Sequence, residues 1–135
     1  MVHVTLTLPS RYSEYERLQA FVAAFIDCQR YSQAFVDGVQ LSMKEAFVNA
    51  VKHGNKEQEA LSVTCSLTMK DDRLLVSIRD CGEGFNLDAL PNPCEPEHLQ
   101  KLSGRGIAII RSLTEIVMLE RDSDGSTLTM RYIPF

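Results

Sequence analysis

Residues 61–80, LSVTCSLTMKDDRLLVSIRD, decide the fold, because apolar and polar residues alternate on both sides of an Asp-Asp pair. A period of two marks a half-buried strand, and the β-branched content predicts two antiparallel strands, 61–70 and 73–80, around a tight turn at Asp71 and Asp72. Toward the N-terminus, residues 44–55, KEAFVNAVKHGN, close a longer helical pattern with Val36, Val39, Met43, Ala46, Phe47, Ala50 and Val51 on one side. Gly54 reads there as a C-terminal stop signal. An earlier helix, to about residue 29, carries Leu18, Phe21, Val22, Phe25 and Ile26 at helical spacing, with Ser13 and Glu16 as its capping pair. Before it, VHVTLTL alternates as a first strand over residues 2–8, ended by Pro9.

Toward the C-terminus the pattern breaks from Cys81 to Ser103. Pro91, Pro93 and Pro96, with Asn86 and Asn92, make a loop of roughly twenty residues, a length that in compact domains belongs to functional or disordered segments. Residues 86–103 are the candidate lid. A short apolar helix, IAIIRSL, follows SGRG, and EIVMLERD and STLTMRYI read as a closing hairpin turned at SDG. Strand, two helices, two strands, loop, helix, two strands implies a single α/β domain over residues 1–135. The expected architecture is a two-layer sandwich, a mainly antiparallel sheet with its helices on one face.

Composition bounds the function. The chain has 135 residues, 44% hydrophobic and 24% charged, enough for one domain with a sizeable core. A net charge of −4, without a Lys/Arg cluster, argues against direct nucleic-acid binding as the main role. The opening MVHVTLTLPS lacks a targeting pattern and FVAAFI is too short to cross a bilayer, so no membrane association and a cytoplasmic location are expected. Cys28, Cys65, Cys81 and Cys94 lack the close spacing of a zinc or redox motif and read as free thiols.

Four stretches carry candidate chemistry. Positions 45, 49 and 53 drift only about 40° per step around a helix, so Glu45, Asn49 and His53 share one face. That face is either a solvated surface or a site, with Glu45 as general base and Asn49 as a neutral oxygen ligand for Mg²⁺. In RDCGEGFN, Asp80 ends a strand ahead of Gly82 and Gly84. The glycines mark either a plain turn or a place where backbone approaches a ligand while Asp80 accepts from a base's amino group. Such an acid favours adenine over guanine, since a buried carboxylate left unpaired costs about 1–3 kcal/mol. In SGRGIAII, Gly104 and Gly106 precede a helix start suited to phosphate, and Arg105 adds positive charge. The Gly-Lys-Ser/Thr ending of a Walker loop is absent. His3 and His98 lack a partner pattern and read as surface residues.

In this order, EAFVNAVKHGN, DCGEGF, SGRGIAII and DGSTLTM resemble the four nucleotide-binding boxes of the histidine-kinase-type ATPases, the Bergerat-fold or GHKL superfamily. The short domain and the proline-containing lid LPNPCEPEHLQKLSGRG look most like the bacterial anti-sigma factor serine/threonine kinases. The resemblance implies ATP and Mg²⁺ as cofactors, with Asn49 as metal ligand and Asp80 as adenine-binding acid. Gly82 and Gly84 would form the first glycine box, Gly104, Arg105 and Gly106 the second, and Thr127 would be the hydroxyl near the base. Glu45 matches the base that takes the proton of a serine or threonine on an anti-sigma factor antagonist. A sigma factor is the second implied partner, and a homodimer is the implied assembly. Two alternatives stand beside this expectation: a nucleotide-gated binding module without kinase activity, and a detached catalytic domain of a histidine kinase. The second is disfavoured by the lack of room for a dimerisation helix pair bearing a phospho-accepting histidine.

Overall fold

The computed structural model describes residues 2–27, 31–82 and 110–135. The expected lid at 86–103, with Gly84, Gly104, Arg105 and Gly106, lies outside the described residues, as do Cys28, Cys94 and His98.

The alternation of LSVTCSLTMK and RLLVSIRD is realised as β2, Ser62–Lys70, and β3, Arg73–Asp80, which pair antiparallel. Asp71 and Asp72 both hold positive φ, 52° and 59°, the mirror-image turn that matches the twist of a two-residue hairpin. The N-terminal strand β1, Val2–Pro9, pairs with β2, and the C-terminal hairpin of β4, Ile116–Asp122, and β5, Gly125–Tyr132, joins through β5 to β3. The sheet order is β1-β2-β3-β5-β4, and every neighbouring pair is antiparallel.

One face of this sheet is apolar. Register stacks Leu67, Val76 and Met130 in one row and Cys65, Ile78 and Leu128 in the next, all buried. The two helices cover that face, α1 over Tyr15–Asp27 and α2 over Gln33–Asn49. Leu18, Val22, Phe25 and Ile26 of α1 and Val39, Met43, Ala46 and Phe47 of α2 supply the other half of the core. The opposite sheet face is lined with hydroxyls, including Thr5 beside Ser66 and Thr7 beside Thr64. The expected two-layer sandwich with helices on one face is therefore present.

One local expectation needs correction, and the end of the second helix, at Gly54 as expected, differs in kind. Ser13 does not cap α1: a 3-10 turn over Tyr12–Glu14 leads into the helix, and Glu14 holds it by pairing with Arg11 and Arg17. The second helix continues past Asn49 as a π turn, Ala50–Gly54, so its last turn is wider than an α turn. Gly54, which ends it, has no positive φ; the chain instead turns at Lys56 and Glu57, with φ of 52° and 61°.

Ser42 anchors α2 to the sheet. Its hydroxyl meets the Tyr132 hydroxyl of β5 inside the core and also donates to the Val39 carbonyl at 3.0 Å. Removing one partner is therefore asymmetric. Tyr132→Phe leaves Ser42 with Val39 and should cost about 1 kcal/mol, whereas Ser42→Ala strands the buried phenol on Met130 sulfur and should cost about 1–3 kcal/mol. Urea melts of the two variants should rank in that order.

Candidate functional site

The strand period that builds the core also builds the site. Along β3, Leu74, Val76 and Ile78 face the helices, and Asp80, two residues on, keeps the same phase. Its partner across the sheet is Ser126, in phase with Leu128, Met130 and Tyr132 of β5. The apolar face thus ends in a polar row, with Asp80 4% exposed and Ser126 fully buried.

Thr127 stands one residue out of that phase. It pairs with Arg79 on the outer face and accepts from Arg79 Nη1 at 2.9 Å, while Arg79 Nη2 pairs with Asp122 at 2.8 Å. The expected hydroxyl near the base is therefore not on the Asp80 side of the sheet. Ser126 is, and its Oγ donates to the Gly82 carbonyl at 3.3 Å. The inward phase of LTMRY, extended back by two residues, is the signal that would single out Ser126.

Backbone presses on Asp80 from three segments. A Cβ on Gly54 would lie 2.1 Å from Asp80 Oδ2, and one on Gly125 would lie 2.0 Å from the Asp80 carbonyl oxygen. Gly82 is equally constrained, since its Cβ would lie 1.6 Å from the Gly54 carbonyl. Gly54 is thus required for close approach to the acid, a reason unrelated to helix termination. The Gly82 N–H donates to Asp80 Oδ1 at 2.9 Å. Burial raises the Asp80 pKa, opposed by that backbone hydrogen bond and by the charge of Arg79. Among the described residues no ion pair to Asp80 is formed. A carboxylate held this way at the edge of a core is a functional-site candidate.

Helix α2 brings the second half. Asn49 is 3% exposed and its Nδ2 has no hydrogen-bond partner, while Glu45 and His53, a turn to either side, are half-buried. Burial lowers the His53 pKa, with Lys52 adding to the shift. This face is not the solvated surface that the polar pattern also allowed. The unpartnered amide, whose oxygen and nitrogen exchange places by rotation, fits a polar ligand or a hydrated metal ion. Among the described residues no cluster of three or more His, Cys, Asp or Glu is present. Cys65 and Cys81 are free thiols as expected, the first buried and the second exposed. No helix of the described residues is long and apolar enough to cross a membrane.

The chain is similar to several known proteins. The model of the histidine kinase-like ATPase domain matches residues 8–132. The serine-protein kinase RsbW of Listeria monocytogenes serovar 1/2a is 26% identical over 137 residues, covering 96% of this chain and 87% of the relative. The RsbW of Bacillus licheniformis is 29% identical over 106 residues, covering 74% of this chain and 66% of the relative. Among solved structures, that of the RsbU and RsbW domains of Rv1364c from Mycobacterium tuberculosis superposes with a TM-score of 0.71 at 13% identity. The match covers 99% of this chain and 33% of that one, and it shows a shared fold. A histidine kinase domain from Erythrobacter litoralis superposes with a TM-score of 0.57 at 16% identity, covering 93% of this chain and 61% of that one.

The raised pKa of Asp80 sets a pH dependence. Because the folded state binds this proton more tightly than the unfolded state, the stability it lends is present below the ordinary Asp value and lost as pH rises through the raised one. Asp80→Asn removes that loss. Thermal melts should show the variant gaining on the wild type between acid and neutral pH, with the difference narrowing again on acidification.

Proposed function

The chain belongs to the histidine kinase-like ATPase domain family, and from that premise we propose that it is an ATP-dependent protein serine/threonine kinase and anti-sigma factor. Its substrate is a serine or threonine hydroxyl on an antagonist protein, and its second partner is a sigma factor, both in the cytoplasm. The observation that carries this reading is the buried Asp80, facing the helices at the end of the core and packed against the backbone of Gly54 and Gly125. The RsbW serine-protein kinases, similar over nearly the whole chain, support the kinase class and the partner-switching role.

Each residue has a part in the chemistry. Asp80 accepts a hydrogen bond from the amino group of adenine, with the Ser126 hydroxyl beside it on the same face. Asn49 would hold Mg²⁺, which when bound with ATP supplies neutralisation of charge on the phosphates. Gly82 lets the turn after β3 pack on Gly54, and Gly84 would be the second glycine of that box, letting backbone approach the nucleotide. Gly104, Arg105 and Gly106 offer backbone N–H groups and a cation to the phosphates. Glu45 takes the proton of the attacking hydroxyl as its oxygen bonds to the γ-phosphorus, the bond from that phosphorus to the β,γ-bridging oxygen breaks and ADP leaves. Its half-buried position one turn before Asn49 suits this, since the acceptor hydroxyl must arrive from a partner at the surface.

Calorimetric titration tests the nucleotide site. Wild type should bind ATP in a Mg²⁺-dependent way and discriminate against GTP, and Asp80→Asn should lose that preference. No binding of either nucleotide would refute the reading. Phosphate transfer to the cognate antagonist tests the base: Glu45→Gln should slow it by about 10²- to 10⁴-fold while leaving ATP affinity nearly unchanged. Transfer at the wild-type rate would remove Glu45 from the mechanism.

A further inference from the structure

Asn55, the last residue of KEAFVNAVKHGN, has no part in the chemistry above, yet it is 1% exposed and its side chain is fully hydrogen-bonded. Its Nδ2 donates to Ser10 Oγ at 3.0 Å and to the Ser62 carbonyl at 2.9 Å. Its Oδ1 accepts from the Cys81 N–H at 2.7 Å. Its own N–H donates to the Ala50 carbonyl at 2.8 Å, closing the π turn, and its carbonyl accepts from Gln58 N–H at 3.1 Å. One side chain therefore joins the residue after β1, the first residue of β2 and the residue after β3. The amide has one workable orientation, since a flip would set Nδ2 against the Cys81 N–H and Oδ1 against the Ser62 carbonyl.

The bond to Cys81 has a consequence for the acid. Cys81 lies between Asp80 and Gly82, and the next N–H along, that of Gly82, is the one that donates to Asp80 Oδ1 at 2.9 Å. Anchoring the Cys81 N–H holds the start of the turn whose next N–H meets the carboxylate, and so restricts where that N–H, and with it the carboxylate, can point. A cleft of about 250 Å³ lined by Gly54, Asn55, Cys81 and Gly82, among others, lies alongside. Without the Asn55 amide, water from this cleft can take the Cys81 N–H, and the turn is then free to rotate without the core collapsing.

We propose that Asn55 is a positioning residue for base selection: it aims Asp80 at the amino group of adenine without touching the nucleotide. This rests on the reading of Asp80 as the adenine acceptor. A general loss of stability lowers affinity for every nucleotide alike, whereas a misaimed carboxylate lowers affinity only where the amino group is present. Inosine triphosphate, which carries a carbonyl in place of that amino group, separates the two.

The experiment is calorimetric titration of wild type and Asn55→Ala with ATP and with inosine triphosphate, each below the variant's melting temperature. The dissociation constant for inosine triphosphate divided by that for ATP should exceed unity in wild type and shrink by about tenfold in Asn55→Ala, the worth of one well-placed hydrogen bond. Equal weakening of both nucleotides, with the ratio kept, would overturn the proposal. If Asn55→Ala does not fold, Asn55→Asp decides, since it retains the acceptor for Cys81 N–H: a kept ratio supports the proposal, and a lost ratio in a folded protein overturns it. A wild-type ratio of one would instead overturn the adenine reading of Asp80, and the role of Asn55 with it.

Discussion

The phase of one strand governs the molecule. Because Asp80 keeps step with Leu74, Val76 and Ile78, the register that buries the core must also carry a carboxylate inward at the end of β3. A slip of one residue would expose the acid and, with it, the whole apolar row. The backbone around Asp80 has been fitted to that requirement. Gly54 comes from the end of the second helix, Gly82 from the turn after the strand, and Gly125 from the last hairpin, three distant parts of the chain meeting where no side chain fits.

Helix α2 is tied to the same sheet at two levels. Ser42 meets Tyr132 in the middle of the core, and two turns later Asn49 faces inward with its Nδ2 unpartnered, while Glu45 and His53, a turn to either side of it, are only half-buried. The π turn over Ala50–Gly54 then delivers Gly54 onto Asp80. A wider turn at this place fits the tendency of such irregularities to occur at functional sites. Rigid packing at one end of the helix and a polar, less complete environment at the other is the arrangement expected of a scaffold that holds a site.

Much of this was legible in the sequence because it was periodic. The two central strands, their Asp-Asp turn, the closing hairpin and the apolar stripes of both helices all follow from spacings of two and of three to four residues. Non-periodic features were missed. The start of α1 is a 3-10 turn that takes up Ser13 itself, with Glu14 paired to two arginines, in place of the Ser13 cap that the sequence suggested. Thr127 and Ser126 are adjacent hydroxyls, and only strand phase separates the outer face from the inner one. Gly54 does end the helical segment, but the sequence gives no sign of Asp80 lying against it. Asn55 was unreadable for a related reason, since its side-chain partners come from the ends of three different strands.

The contact between Gly54 and Asp80 also links two positions. Of the three glycines, Gly54 alone is confined by the side chain of Asp80; Gly82 and Gly125 are confined by main-chain atoms. A side chain at position 54 would have to displace the carboxylate of Asp80, whereas one at position 82 or 125 would have to displace main chain. Change at position 54 is therefore tied to the placement of the acid, and change at the other two to the path of the backbone.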